Sequence, residues 1–271
     1  MTGALVDAAG LAHERAADDA RIVSLVPSLT ELVCDLGLGD RLVGRTGFCI
    51  HPRETLRAVP KVGGTKDVDL GKLEALAPTH VIVNVDENRR EDAEAIARIV
   101  PHVIVTHPLA PDDNPGLYRL FGGIFGREDE AQMLSARYAE ARERALDGVM
   151  PNAARVLYLI WREPWMSISR DTYISRMLGM FGWDTLPAES TERYPEVDLA
   201  ALGRDVDRVL LSTEPFPFRE THLAEAAAIS GRPAELIDGE MVSWYGSRAI
   251  RGLDYLAAFT RRDARDRRAA G

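Results

Sequence analysis

From residue 21 to 106 short β-branched runs alternate with short helical patterns, and this alternation limits the chain's folds more than any other feature. "RIVSLVP" reads as a strand stopped by Pro27, and Ser28 with Glu31 has the spacing of a capping box for a helix ended by Gly37 and Gly39. "RLVGRTG", "HVIVNV" and "HVIVT" read as further strands, with "DLGKLEALAP" and "REDAEAIARIV" as the helices between them. Strands and helices alternating at this spacing predict a mainly parallel sheet covered on both faces.

After "HPLAPDDNP" the alternation stops. Apolar residues at three-to-four spacing predict a helix through Ile124 and, beyond Gly126, a long helix over 128–149, about 33 Å at 1.5 Å per residue. Alternation resumes with "RVLYLIW", continues through "TYISRMLGMFGW" and "RVLLST", and closes with a helix at "SRAIRGLDYLAAFTRR". The expected organisation is α/β: an N-terminal extension (1–20), a first doubly wound lobe (21–111), a linking helical segment (112–150), a second lobe (151–262) and a charged tail (263–271).

Composition excludes several classes. A formal net charge of −9 gives no general attraction to nucleic acid, which calls for a basic face. Hydrophobic content of 46% supports a packed core without staples, and two cysteines make no disulfide framework. No window has the roughly 20 apolar residues of a membrane span. The first twenty residues hold no signal-peptide core, so the chain as written reads as cytoplasmic, or periplasmic if a leader has been removed.

Catalytic signatures are missing: there is no phosphate-binding loop with its lysine, no nucleophile elbow and no zinc-protease helix motif. No residue is assigned a catalytic role. The informative chemistry sits in loops that follow strands, where open α/β sheets bind ligands. "FCIHP" offers Phe48, Cys49 and His51; Cys49 and His51 suit a soft metal but fall short of the three or four ligands a zinc site takes. "VGGTKD" offers Thr65 and Lys66 to an anionic group, and "NVDENRRED" offers Asn84 and Glu87. "IWREPWM" gathers Trp161, Arg162, Glu163 and Trp165, "STEPFPF" adds Glu214, Phe216 and Phe218, and "DGEMVSWYGSR" adds Glu240, Trp244, Tyr245 and Arg248. Large aromatic side chains beside charges in three loops predict a wall for a sizeable, partly planar and partly anionic ligand.

The chain resembles the helical-backbone, class III periplasmic binding proteins, which include cobalamin, haem and siderophore receptors. The resemblance spans about residues 21–259 and rests on "RIVSLVPSLTELV", "VGGTKDVDLGKLEALAPTHVIV", the long helix after "FGREDE" and "RVLYLIWREPWMSISRDTYISRMLGMFG". It implies a rigid pair of lobes with the ligand in the cleft between them, and cobalamin, haem or an iron-siderophore as that ligand. It implies that Phe48, His51, Thr65 and Asn84 stand where aromatic side chains flank the corrin in cobalamin receptors. It also implies an ABC permease as partner, docked through one glutamate per lobe, yet those positions are Gly71 and Ala200 here. The expected function is therefore binding of a metal complex or tetrapyrrole-like cofactor, possible without a permease. The competing readings are a metal-ion site or metal-dependent enzyme built from Cys49, His51 and Glu87, and a scaffold whose aromatic loops bind a protein.

Overall fold

Every residue of the strand His80–Asn84 is buried, as a strand covered on both faces requires. The computed structural model describes residues 4–151 and 153–270; the expected charged tail lies outside the residues whose side chains it describes. In chain order the strands are β1 Leu5–Val6, β2 Ala12–His13, β3 Ile22–Ser24, β4 Leu42–Arg45, β5 His80–Asn84, β6 His102–Thr106, β7 Ala154–Leu159, β8 Trp183–Leu186, β9 Arg208–Ser212 and β10 Ala234–Ile237. The α-helices are α1 Pro27–Asp35, α2 Arg53–Leu56, α3 Leu70–Ala75, α4 Arg90–Ile96, α5 Asn114–Phe125, α6 Glu128–Leu146, α7 Tyr173–Gly179, α8 Leu199–Leu202, α9 Leu223–Ser230, α10 Gly239–Ser243 and α11 Arg248–Ala270.

The chain divides into two compact units. The first comprises Met1–Pro108, Asp113–Tyr138 and Tyr245–Arg248; the second comprises Leu109–Asp112, Ala139–Trp244 and Ala249–Gly271. Each holds one four-stranded sheet with all neighbours parallel, in the order β4-β3-β5-β6 and β10-β9-β7-β8 respectively. The α/β class with parallel sheets is therefore as expected.

In the first unit Val81 and Val83 share one face of β5 by the two-residue repeat of a strand, and pack with Val23, Val103, Leu73 of α3 and Ile96 of α4. In the second, Leu157 and Leu159 of β7 and Val209 and Leu211 of β9 pack with Leu199 of α8 and Ala226 of α9.

Four local expectations differ from the structure. Helix α1 begins at Pro27, its N-cap is Val26, and Ser28 makes no capping bond because it already lies inside the helix, while Glu31 pairs with Arg248 instead. Helix α6 ends at Leu146, before Gly148, whose φ of +71° breaks the helical turn. Strands β8 and β10 escape the sequence reading because they are the partly exposed edges of their sheet and carry Asp184 and Glu235. Residues 4–13, within the expected extension, form a β1–β2 hairpin whose Ala8 N–H bonds the Val105 carbonyl at 2.9 Å, while Asp7 Oδ2 accepts from Val105 N–H at 3.0 Å. The hairpin thus satisfies backbone groups that edge strand β6 would otherwise present. Among the described residues no helix is long and apolar enough to cross a membrane.

Candidate functional site

A chain that starts in the middle of a sheet and winds first to one side, then to the other, leaves a crevice where the direction reverses, outside the carboxyl ends of the two central strands. The strand orders put this reversal between β3 and β5 in the first unit and between β7 and β9 in the second. Loops after these strands are where side chains converge without competing for the core.

In the second unit the loop after β7 is short and pinned. Ile160 N–H bonds the Met166 carbonyl at 3.0 Å, Met166 N–H returns to Trp161 at 3.2 Å, and Val197 N–H bonds the Trp165 carbonyl at 2.9 Å. The loop therefore holds its two indoles in fixed places. Trp165 stacks on Phe218 with an interplanar angle of 1° and a centroid distance of 6.1 Å. Trp161, 40% exposed, meets Phe216 edge-to-face at 5.5 Å. Phe216 and Phe218 lie 4.6 Å apart, and the His222 ring touches both at 5.6 Å. The loops after β7 and β9 are thus joined by a continuous set of rings with one indole open to solvent.

Charges beside the rings are arranged by specific bonds. Arg162 makes two hydrogen bonds to Glu225 of α9, at 2.9 and 3.0 Å, and lies 3.1 Å from Glu163. Glu214 Oε1 accepts from Ser243 Oγ at 2.7 Å and from Trp244 Nε1 at 2.8 Å, which ties the loop after β9 to α10. Burial raises the carboxyl's pKa, offset by the Ser243 bond and raised again by Glu240. Only glycine fits at 239, since a Cβ there would stand 2.5 Å from Glu214 Cγ and from Ser212 Oγ.

The first unit's loops are bound by polar groups. Asn84, at the end of β5, accepts from Asp86 N–H at 2.8 Å; Asn88 Oδ1 accepts from Asn84 N–H at 2.8 Å, and Asn88 Nδ2 donates to the Thr65 carbonyl at 2.9 Å. Lys66, expected to face an anionic ligand, donates to the Asp86 carbonyl at 2.8 Å. Phe48 is 64% exposed, its Cε2 3.4 Å from where a Cβ on Gly64 would stand. Tyr245, at the start of the Tyr245–Arg248 segment, donates to Glu87 Oε1 at 2.5 Å, and burial together with Glu87 raises the pKa of its phenol. Arg248 makes a buried two-point pair with Glu31, Nε to Oε2 at 2.6 Å and Nη2 to Oε1 at 3.0 Å, so its charge is neutralised there.

Cys49 is fully buried and bonded by Thr30 Oγ1 and Thr46 Oγ1, each 3.1 Å from its sulfur. Burial raises the thiol's pKa, whereas a metal ligand must be a thiolate. His51 is half-buried at the other end of the loop. Among the described residues no group of three or more His, Cys, Asp or Glu side chains is placed to hold a metal ion.

The structure therefore gathers Trp161, Arg162, Trp165, Glu214, Phe216 and Trp244 in the second unit, and Phe48, Thr65, Lys66, Asn84, Glu87 and Tyr245 around the first unit's strand ends. Two contributors, His222 and Glu225, were not anticipated. Glu225 meets Arg162 across 63 positions, a pairing no local motif records. His222 had a signal, since it follows an aromatic loop at short range.

A family model described as periplasmic binding protein matches residues 22–237. A vitamin B12-binding protein of Pectobacterium carotovorum subsp. carotovorum (strain PC1) is 22% identical over 199 residues, covering 72% of this chain and 72% of its own. An uncharacterised ABC transporter substrate-binding lipoprotein of Bacillus subtilis (strain 168) is 23% identical over 252 residues, covering 88% and 78%. Among solved structures, a periplasmic haem-binding protein from Roseiflexus sp. RS-1 in apo form shares the fold with a TM-score of 0.70 at 24% identity, over 88% of this chain and 97% of that one.

Proposed function

The chain belongs to the periplasmic binding protein family, and from that premise we propose that it binds a metal complex or tetrapyrrole-like ligand through the loops at its strand ends. The observation that carries this reading is the ring set Trp161, Trp165, Phe216, Phe218 and His222, standing at the reversal point of the second unit's sheet with Trp161 open to solvent. Rings fixed on short loops offer a planar partner contact area at small entropic cost, and large apolar ligands draw their affinity from such anchors.

The matched relatives are binding proteins, and the reading takes this chain as one as well, with no catalytic residue. A metal-dependent enzyme built on Cys49, His51 and Glu87 is not favoured, because Cys49 is a core side chain and Glu87 is engaged by Tyr245.

A permease partner follows from the ABC transporter relative only by analogy. The resemblance puts the docking positions at Gly71 and Ala200, where no glutamate stands; of the nearest carboxylates, Asp198 caps α8 and Glu74 is exposed on α3. The reading therefore includes no docking through paired glutamates. Fractionation of the native host tests it: recovery with the cytoplasm supports action without a permease, and recovery outside the inner membrane with a processed N-terminus overturns it.

Ligand binding itself is tested by native mass spectrometry of protein purified from its own host, followed by titration of tryptophan fluorescence with the ligand recovered. The expected result is a stoichiometric organic or metal-complex ligand that quenches emission, with a smaller response in Trp165→Ala. Binding that leaves all the tryptophans unaltered overturns the site assignment.

A further inference from the structure

The turn that follows the phenyl rings of the second unit closes on itself through one imidazole. Phe218 N–H bonds the Phe216 carbonyl at 2.8 Å, and Arg219 N–H, the next along the chain, donates to His222 Nδ1 at 2.9 Å. His222 N–H returns to the Arg219 carbonyl at 2.9 Å, so residues 219 and 222 are joined by two bonds, one through a side chain and one through the main chain. The same imidazole meets Phe216 and Phe218 edge-to-face, at interplanar angles of 70° and 86°, a favoured arrangement for aromatic pairs. One half-buried side chain therefore holds the backbone next to Phe218 and touches both phenyl rings, and Phe216 in turn meets the exposed Trp161.

The bond from Arg219 also decides where the imidazole keeps its proton. A backbone N–H can only donate, so Nδ1 must offer its lone pair, and the proton of the neutral ring sits on Nε2. A metal-ligating histidine has the reverse arrangement: the metal takes the lone pair of one nitrogen while the other nitrogen donates its N–H to a carbonyl or carboxylate. Freeing Nε2 for a metal would move the proton to Nδ1, where it would face the Arg219 N–H, donor against donor.

We propose that His222 is a positioning residue of the ring set, held in its Nε2–H form by the Arg219 N–H, and that it aligns Phe216 and Phe218 for a ligand without ligating a metal. That a ligand meets these rings rests on the binding reading above; the tautomer and the turn belong to the protein alone.

Two substitutions separate the contacts of the imidazole. His222→Asn keeps an acceptor near the position of Nδ1 and removes the ring, whereas His222→Phe keeps a ring and removes the acceptor. In the ligand-free protein, nitrogen NMR of the His222 side chain should show a proton on Nε2 and none on Nδ1, a measurement that needs no variant. The Arg219 amide should exchange slowly with solvent in the parent and in His222→Asn, and about tenfold faster in His222→Phe. A proton on Nδ1, or an Arg219 amide equally protected in His222→Phe, overturns the proposal. Binding is read by titrating the intact protein with hemin and with metal-free protoporphyrin, which share a ring and differ in the iron. His222→Phe should weaken both probes about tenfold, the scale of one lost hydrogen bond, and His222→Asn by no more than about threefold. The ratio of the two affinities should be the same in the parent and in both variants. A ratio that falls in the variants assigns Nε2 to the iron and overturns the proposal, and so does an equal loss in both variants, which leaves the Nδ1 acceptor without a special part. If neither probe binds, the planar-ligand reading fails and the alignment for a ligand with it, while the NMR of the free protein still decides the tautomer and the turn.

Discussion

The two sheets reverse at equivalent places, yet their reversal points are furnished with opposite chemistry. At the end of β5, and in the segment between β4 and α3, the first unit places Asn84, Asn88 and Lys66, whose side chains tie one loop backbone to another. After β7 and β9 the second unit places rings that touch rings, beside the Glu214 carboxylate held by Ser243 and Trp244. Side chains spent on local backbone bonds hold shape, whereas exposed rings on pinned loops have capacity left for a partner. The difference implies that substitutions in the first unit's network are felt mainly as lost stability, and those in the second unit's ring set mainly as lost binding.

The hardest test of that division is Arg248, read from the sequence as a ligand contact. Its guanidinium and the Glu31 carboxylate are 4% and 7% exposed, so removing Arg248 takes a two-point partner from a buried carboxylate. Arg248→Met is expected to cost about 3–5 kcal/mol in chemical denaturation. Glu31→Leu combined with Arg248→Met should recover much of that loss, since the buried carboxylate is then gone. A single variant as stable as the parent would show that the pair does not matter to folding and would return Arg248 to the candidate ligand contacts.

Trp161 probes the other half of the comparison. Its side chain is largely outside the core, and Trp161→Ala should change stability by less than about 1 kcal/mol. Loss of an aromatic anchor should nevertheless weaken ligand binding by about 2 kcal/mol, roughly 30-fold. Equal losses in both measurements would merge the two roles that the comparison separates.

How much of this was legible beforehand follows from how local each signal is. The strands β3, β5, β6, β7 and β9 are the inner or strongly β-branched members of their sheets, and their composition announces them; β8 and β10 are edges whose polar residues disguise them. Loop aromatics such as Trp161 and Phe216 stood out because core packing alone explains them poorly. Pairings across long stretches of chain, Arg162 with Glu225, Arg248 with Glu31 and Tyr245 with Glu87, left no such trace. They reverse the electrostatic reading of the loops, because an arginine in sequence is a cation, but an arginine held by two carboxylate oxygens offers little charge to a ligand.

A pH titration of stability examines the first unit at the opposite ends of its strands. His80, at the start of β5, is buried and stacks on His102 with ring centroids 4.6 Å apart. Burial, then the neighbouring His102 and His13, lowers its pKa to about 4, against about 6.5 in an unfolded chain. Between those values the unfolded chain binds more protons than the folded one, so stability falls as pH drops from about 6.5 and levels off below about 4. Screening by nearby solvent holds the loss from this group to about 1–2 kcal/mol. Denaturation midpoints measured from pH 7 to 4 should follow this slope, and His80→Gln should flatten it. An unchanged slope in the variant would assign the titration to other groups.

The smallest expected effect compares the two units at a shared motif. "VDLGKL" at 68–73 and "VDLAAL" at 197–202 each place an aspartate before a short helix, and each aspartate is its N-cap. Asp198 Oδ1 accepts from Ala200 N–H and Ala201 N–H, both at 3.0 Å, and Asp198→Ala should cost about 1 kcal/mol, the usual worth of a lost cap. Asp69 accepts from Lys72 N–H at 3.0 Å and also meets Lys72 Nζ at 3.0 Å. The Lys72 backbone bond and then its side chain hold the Asp69 carboxyl below its ordinary pKa, so its stabilising effect is present above the unfolded value and is lost as pH falls through the folded one. Both alanine variants should therefore lower the melting temperature slightly at pH 7, and the deficit of the Asp69 variant should shrink as pH falls below the unfolded value near 3.8. These measurements also bear on docking, because a carboxylate already committed to a helix cap has less to offer a permease. If Asp198→Ala leaves stability untouched, the cap is dispensable and Asp198 returns as the second unit's candidate docking charge.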